Sequence, residues 1–79
     1  MITLIFLGRL AELAGGNSRE VPAPLDWPGL LGALDTALAA QLASDRVRLA
    51  LNGELLADKT QLQAATGDEI ALLPPVSGG

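Results

Sequence analysis

The sequence contains no cysteine, no histidine and no tyrosine, and only one tryptophan and one phenylalanine among its 79 residues. Without cysteine it can form no disulfide and offers no thiolate nucleophile. Without histidine it lacks the usual zinc ligands and the commonest acid–base catalyst. The core must therefore be aliphatic, built from Leu, Ile, Val and Ala, and we expect no metal site.

Basic residues are also few, with five Lys and Arg against nine Asp and Glu, for a net charge of -4. The five are scattered along the chain as Arg9, Arg19, Arg46, Arg48 and Lys59. No aromatic stacking platform accompanies them, which argues against nucleic acid as a partner. An acidic chain of this kind favours a basic surface on another protein.

Long hydrophobic runs are missing as well. No stretch approaches the roughly 18 apolar residues of a transmembrane helix, and no basic region precedes an apolar run at the start. We therefore expect a soluble, cytoplasmic protein without a membrane partner. A chain of 79 residues forms one small domain that buries only about 60 to 65% of its unfolded surface.

The first predicted strand, Ile2 to Leu7, is apolar on both faces. Side chains alternate along a strand, so Ile2, Leu4 and Phe6 share one face. Thr3, Ile5 and Leu7 share the other. One face should meet the core, and nothing obvious in so small a domain covers the second. That second face is a candidate partner surface.

The remaining elements are predicted from periodicity and turn residues. They are a short helix at 9–14 ending at Gly15, a strand at 18–21 antiparallel to the first, one long amphipathic helix from Asp26 to Ala43, a hairpin at 47–56 turning on Asn52-Gly53, and a last strand at 69–73. Strands at both ends around one helix predict a two-layer α+β domain, with a mixed sheet and the helix packed on one face.

The chain ends in Pro74-Pro75 followed by Val76, Ser77, Gly78 and Gly79. The two prolines stop strand pairing but keep the chain extended. We therefore divide the sequence into a domain at 1–75 and a flexible tail at 76–79. A frayed, functionless end is the simpler alternative. The ordered series of strand, rigid spacer and two glycines favours a tail that enters a narrow channel.

No other group in the chain offers convincing covalent chemistry. Asp68 and Glu69 are turn residues without a predicted cleft, and Ser77 has no histidine to activate it. The carboxylate of Gly79 remains. Adenylation by ATP on a partner enzyme would make its oxygen a leaving group, and a sulfur donor could then convert it to a thiocarboxylate.

Two segments, 2–15 and 67–79, resemble the small subunit of molybdopterin synthase. The first contains the strand Ile2 to Leu7 running into Arg9-Leu10-Ala11-Glu12-Leu13, and the second is the Gly-Asp-Glu strand with its Pro-Pro-Val-Ser-Gly-Gly ending. The resemblance implies a ubiquitin-like β-grasp fold with an extended C-terminal tail.

The same resemblance implies a function. Gly79 would be adenylated by a ubiquitin-activating-like adenylyltransferase that uses ATP, and a sulfur donor would make the thiocarboxylate. The large subunit, in a heterotetramer, would use that sulfur on cyclic pyranopterin monophosphate. The chain itself would be a non-catalytic subunit that binds no cofactor.

The resemblance also implies how partners hold the chain. Val76, Ser77 and Gly78 would enter partner active sites, while Leu7, Leu73, Pro74 and Pro75 would form the interface. Many relatives carry aromatics near the positions of Leu7 and Leu73, where this chain has leucine. The alternative is that both leucines belong to the core.

Other functions remain open on the same architecture. The chain could carry sulfur for thiamine, cysteine or transfer-RNA thiolation, although Pro74-Pro75-Val76 favours the molybdenum branch. It could also be a ubiquitin-like modifier that joins Gly79 to lysines, or a plain interaction module.

Overall fold

The computed structural model describes residues 1–75, and the predicted tail at 76–79 lies outside them. Within that range the chain forms three α-helices, a 3-10 helix and seven strands. In chain order these are β1 (Ile2–Phe6), α1 (Arg9–Ala14), β2 (Ser18–Val21), β3 (Leu25–Asp26), α2 (Trp27–Ala33), α3 (Thr36–Leu42), β4 (Arg48–Leu51), β5 (Glu54–Leu55), the 3-10 helix (Lys59–Gln61), β6 (Gln63–Ala64) and β7 (Glu69–Leu73).

Five strands form one mixed sheet in the order β2-β1-β7-β4-β5. The first and last long strands, β1 and β7, are neighbours and run parallel, while the other pairs are antiparallel. The short strands β3 and β6 pair separately. Because β7 has a partner on each side, the chain leaves the sheet from its middle.

The core lies between the helices and one face of this sheet, here called the inner face. Alternation along β1 buries Ile2, Leu4 and Phe6, as predicted, and along β7 it buries Ile70 and Leu72. The helices contribute four fully or nearly fully buried leucines that join the same cluster, Leu10, Leu30, Leu38 and Leu42. All three helices therefore pack on the inner face.

The predicted single helix from Asp26 to Ala43 is wrong in one respect, because it is two helices. Leu34 ends α2 in an extended conformation, and the Asp35 side chain caps α3 by accepting from the Leu38 N–H at 2.9 Å. In one continuous helix, residues four apart drift by about 40° around the axis. Leu30 and Leu42 would then point about 120° apart, and the break lets both reach the core.

The hairpin and its turn at Asn52-Gly53 are confirmed. Asn52 and Gly53 have φ values of 51° and 84°, the left-handed pair that a two-residue type I′ turn requires. The short pair β3 and β6 was not predicted, since two-residue strands carry no periodicity. The α+β class and the mixed sheet are confirmed, and the arrangement is the ubiquitin-like β-grasp. Among the described residues no helix has the length and apolar character needed to cross a membrane.

Candidate functional site

The segment from Leu72 to Pro75, here called the tail root, leaves the sheet beside the end of β1. The Leu7 N–H donates to the Leu72 carbonyl at 3.3 Å, which extends the parallel pairing by one residue past β1. Pro74 is half-buried and Pro75 is exposed. Pro74 and Pro75 therefore lie beyond the end of the sheet at which β1 ends.

The residues predicted to form the site divide into two groups. Val76, Ser77, Gly78 and Gly79 lie outside the described residues. Leu7, Leu73, Pro74 and Pro75 all lie together at the tail root.

Leu7 and Leu73 lie on the face opposite the helices, here called the outer face. Leu73 pairs with Arg48 across β7 and β4, and alternation turns it away from its buried neighbour Leu72. Leu7 is 41% exposed, so it is not a core residue. Leu73 is half-buried and lies outside the core cluster.

The register brings further apolar side chains to the same face. Ile5 pairs with Ala71, Ala71 with Ala50, and Ala50 with Leu55, so one row crosses four strands. With the two leucines at the tail root this row makes the outer apolar face, defined as Ile5, Leu7, Ala50, Leu55, Ala71 and Leu73. Leu7 and Leu55 are its exposed side chains, and Ala50 is buried beneath its neighbours. A contiguous apolar surface that ends where the tail begins is typical of a protein-binding site.

The sequence analysis did not include Leu55 in the partner surface, but the structure shows that Leu55 is 56% exposed there. The hairpin sequence contained the information needed to predict this. A two-residue turn at Asn52-Gly53 fixes the register of β4 and β5, and that register places Leu55 opposite Ala50. Leu55 therefore extends the predicted surface to the edge strand.

Charged residues frame the outer apolar face at its two ends. Exposed Arg48 lies beside Leu73 near the tail root. Glu20 and Glu69 both pair with Thr3 at the far end of the strands. The face is thus positive near the tail root and negative at the opposite end, which would orient a partner with the reverse pattern.

Comparison with known proteins decides the family. The model of the ThiS family matches residues 4–79. The chain belongs to the ThiS family. It is 42% identical to the molybdopterin synthase sulfur carrier subunit of Escherichia coli (strain K12), in an alignment that covers 100% of both chains.

Solved structures extend the comparison for this ThiS-family chain. The crystal structure of SAMP1 from Haloferax volcanii superimposes with a TM-score of 0.68 at 31% identity, covering 99% of this chain and 98% of that one. A complex of subunits 1 and 2 of the molybdopterin-converting factor from Helicobacter pylori contains a chain with a TM-score of 0.66 at 26% identity, covering 99% and 97%.

A hydrogen-bond network stabilises the far end of the ThiS-family sheet. The Asn52 side chain donates to the Asp68 carboxylate at 3.1 Å and accepts from the Glu69 N–H at 2.9 Å. The Ala65 N–H also donates to Asp68, at 2.9 Å. These bonds, chiefly the one from Ala65, hold the pKa of Asp68 below its ordinary value of 3.8. They tie the hairpin turn to the start of β7.

This network predicts acid sensitivity. A carboxylate with a lowered folded-state pKa stabilises the fold fully above its ordinary pKa, and the effect is lost as the pH falls through the folded value. We expect the urea midpoint of the wild type to fall as the pH drops below about 3.8. Asp68→Asn should have a lower midpoint at pH 7 and a flatter fall in acid. Parallel curves for the two proteins would contradict this role for Asp68.

Lys59, the one lysine of the ThiS-family chain, is held in place at the other end of β4. Its ammonium donates to the carbonyls of Ser44 and Val47, the latter at 2.9 Å, and lies 5.7 Å from the centre of the Trp27 ring. Burial lowers the pKa of Lys59, and the charge of Asp45 opposes that shift. Lys59 therefore anchors the loop between α3 and β4.

The described part of this ThiS-family chain contains no cluster of three or more His, Cys, Asp or Glu side chains that could hold a metal ion. Asp58 accepts from the N–H and hydroxyl of Thr60, and these bonds lower the pKa of Asp58. Asp58, Asp68 and Lys59 are thus all engaged by neighbouring groups of the chain. These three side chains stabilise the fold. The candidate functional site is therefore the outer apolar face together with the tail root at its border.

Proposed function

We propose that this chain is the sulfur-carrier subunit of molybdopterin synthase. The observation that carries the proposal is the 42% identity, over all of both chains, to a protein of that name. The structure supports it with a tail root that leaves the middle of the sheet at the border of the outer apolar face, where Leu7 and Leu55 are exposed. A partner enzyme can bind the domain through this face while the C-terminal carboxylate reacts in the partner's active site.

The proposed chemistry takes place at the carboxylate of Gly79. In the first step the carboxylate oxygen attacks the α-phosphate of ATP on an adenylyltransferase, forming an acyl adenylate and releasing pyrophosphate. In the second step hydrosulfide released by the sulfur donor attacks the acyl carbon, the bond between the acyl carbon and the AMP oxygen breaks, and AMP leaves. The product is a thiocarboxylate, whose anionic sulfur is nucleophilic at neutral pH.

In the third step the large subunit uses that thiocarboxylate. Its sulfur is transferred to cyclic pyranopterin monophosphate, and hydrolysis of the acyl group restores the carboxylate. Two carriers supply the two sulfurs of the dithiolene within a heterotetramer. The chain contributes no acid, base or cofactor to these steps, which belong to cytoplasmic partner enzymes.

The outer apolar face is the proposed docking surface for both partner enzymes. Leu7, Leu73, Pro74 and Pro75 contact the partner, while Val76, Ser77 and Gly78 pass into its active site. Burying this apolar area contributes about 25 cal/mol per Å² before the costs of association. Leu55 joins the surface because its register places it in the same row.

Intact mass after coexpression tests the proposal directly. The chain is coexpressed with a cognate adenylyltransferase and sulfur donor and then purified. We expect a product heavier by the difference between one sulfur and one oxygen atom, located at Gly79 by fragmentation. An unchanged mass would contradict the proposal, provided the same adenylyltransferase thiocarboxylates another carrier.

A ubiquitin-like modifier is the second candidate, and the 31% identity to SAMP1 of Haloferax volcanii, a protein named small archaeal modifier protein 1, favours it. Here lysines of other proteins would attack the activated Gly79, forming isopeptide bonds. Conjugates that survive on a denaturing gel and vanish when Gly78 and Gly79 are deleted would support this activity.

Retention of a thiazole synthase instead of a molybdopterin-synthase large subunit in a pull-down would favour the thiamine pathway.

A further inference from the structure

We propose that Gly8 is a positioning residue for the tail, because it leaves the space in which Pro74 lies and so fixes the direction in which the chain leaves the sheet. This role deepens the proposed sulfur-carrier function and rests on it. The contact between Gly8 and Pro74 is independent of that function and can be measured by itself.

The backbone at Gly8 is the first observation. Gly8 connects β1 to α1 with φ 54° and ψ -129°, a combination that is strained for residues with a Cβ. The Leu10 N–H and the Ala11 N–H donate to the carbonyls of Leu7 and Gly8, which closes the turn. Glycine here lets the chain reverse from strand to helix directly beside the tail root.

The neighbour of Gly8 is the second observation. A Cβ built on Gly8 would lie 3.2 Å from Cγ of Pro74, closer than an ordinary van der Waals contact. Gly15 and Gly53 also have positive φ, of 75° and 84°, yet a Cβ on either would have no neighbour within 4 Å. Close approach to the tail root therefore distinguishes Gly8 from these two glycines.

The surroundings of Pro74 explain why a shift there would be transmitted. A cavity of about 320 Å³ next to Pro74 and Pro75 is lined by residues of α1 and α3, among them Arg9, Leu13 and Gln41. Pro74 thus contacts the Gly8 turn and also borders this open space. The proline ring therefore has room to shift when a methyl group is added at position 8.

A displaced Pro74 changes the course of everything after it. Pro74 and Pro75 both have a fixed φ, so a shift of the Pro74 ring changes the position and direction from which the chain continues after Pro75. The proposed chemistry needs the end of the chain to meet a buried reacting group, and a misplacement of about 1 Å can cost on the order of 100-fold in rate. We expect Gly8→Ala to slow thiocarboxylate formation by about tenfold or more.

A double-mutant cycle tests this role with two readouts. The variants are Gly8→Ala, Pro74→Ala and their combination. Gly15→Ala is the control, because it adds a methyl group at another glycine with positive φ that has no neighbour within 4 Å. The first readout is the equilibrium constant for unfolding in urea. The second is the initial rate of thiocarboxylate formation by intact mass, divided into kcat and KM for the adenylyltransferase.

We expect Gly8→Ala and Pro74→Ala to be coupled in stability by about fivefold or more, since removing the ring relieves the contact. Gly15→Ala should show no coupling to Pro74→Ala. In thiocarboxylate formation, Gly8→Ala should lower kcat more than it raises KM. Gly15→Ala should form the thiocarboxylate at the wild-type rate. Adding Pro74→Ala should restore part of the kcat lost in Gly8→Ala.

Each other outcome overturns a named part of the proposal. Additive stabilities show that Pro74 does not rest on Gly8, whatever the function. If the two substitutions are coupled in stability but Gly8→Ala forms the thiocarboxylate at the wild-type rate, the positioning role is overturned. If the two substitutions are coupled in stability but the wild type itself forms no thiocarboxylate, the sulfur-carrier function is overturned instead. If Gly8→Ala folds neither alone nor with Pro74→Ala while Gly15→Ala folds, strain at Gly8 alone accounts for it, and the positioning role is overturned.

Discussion

Deletion of Gly79 alone should reduce thiocarboxylate formation by about 100-fold or more, even though the shortened chain still ends in a glycine carboxylate. The reacting group is then chemically the same but is set back by one residue, about 3.5 Å. A misplacement of about 1 Å from the productive geometry can already cost on the order of 100-fold in rate, so this loss of reach removes most of the rate. Intact mass after incubation with the adenylyltransferase, ATP and sulfur donor measures it.

Binding provides the control for that deletion. Because the outer apolar face is unchanged, the shortened chain should bind the large subunit within a few-fold of the wild-type affinity, as measured by calorimetry. A chain lengthened by one glycine should also be slow, since its carboxylate overshoots. Wild-type thiocarboxylation at Gly78 of the shortened chain would show that position along the tail does not matter.

Alternation and turn chemistry made much of the sheet predictable. The last strand was predicted at Glu69 to Leu73, the bounds it has in the structure. The Asn52-Gly53 turn specified its own hairpin, because only a few residue pairs accept positive φ at both positions. The same alternation separated Leu7 from the buried side chains of β1. These are local signals, fixed by residues a few positions apart.

The break in the helix was harder to predict for a physical reason. Leu30, Leu34, Leu38 and Leu42 recur every four residues, which fits one long helix when the spacings are read alone. Their accumulated drift of about 120° over the segment is the missed signal. Asp35, which caps α3 through the Leu38 N–H, marked the second start. Tertiary packing decided between the two arrangements.

The parallel pairing of β1 with β7 is a contact between the two ends of the chain. Periodicity within a segment specifies which residues face the core but not which distant strand lies alongside. Only the resemblance to the molybdopterin synthase small subunit indicated this topology in advance. The hydrogen bond from the Leu7 N–H to the Leu72 carbonyl, and with it the position of the tail root, depends on that pairing.

Leu55 was missed because its significance also depends on a neighbour. Alone, Glu54-Leu55-Leu56 is a short return strand with no evident exposed face. Once β4 pairs with β7 and β5 with β4, the register carries Leu55 into the row of Ile5, Ala71 and Ala50. A surface built from four strands depends on the registers of three strand pairs. Only the register of β4 with β5 is specified by a local signal, the Asn52-Gly53 turn.

A charge placed on the outer apolar face should strongly weaken partner binding while the fold survives. We expect Leu7→Glu and Leu55→Glu each to weaken binding of the large subunit by about 100-fold, roughly 2.7 kcal/mol. A carboxylate buried in an apolar interface without a partner loses its hydration. The two leucines are 41% and 56% exposed in the chain alone, so the urea midpoint should change little.

Leu13→Glu is the matched control for these two variants, since Leu13 is 45% exposed but lies on α1, on the helical side of the sheet. It introduces the same charge at similar exposure, and it should bind the large subunit with nearly wild-type affinity. Equal weakening by all three would indicate an effect of net charge. Weakening by Leu13→Glu alone would place the partner against the helices beside Pro75. Loss confined to Leu7→Glu and Leu55→Glu, which lie on different strands, requires a partner that spans the sheet from β1 to β5.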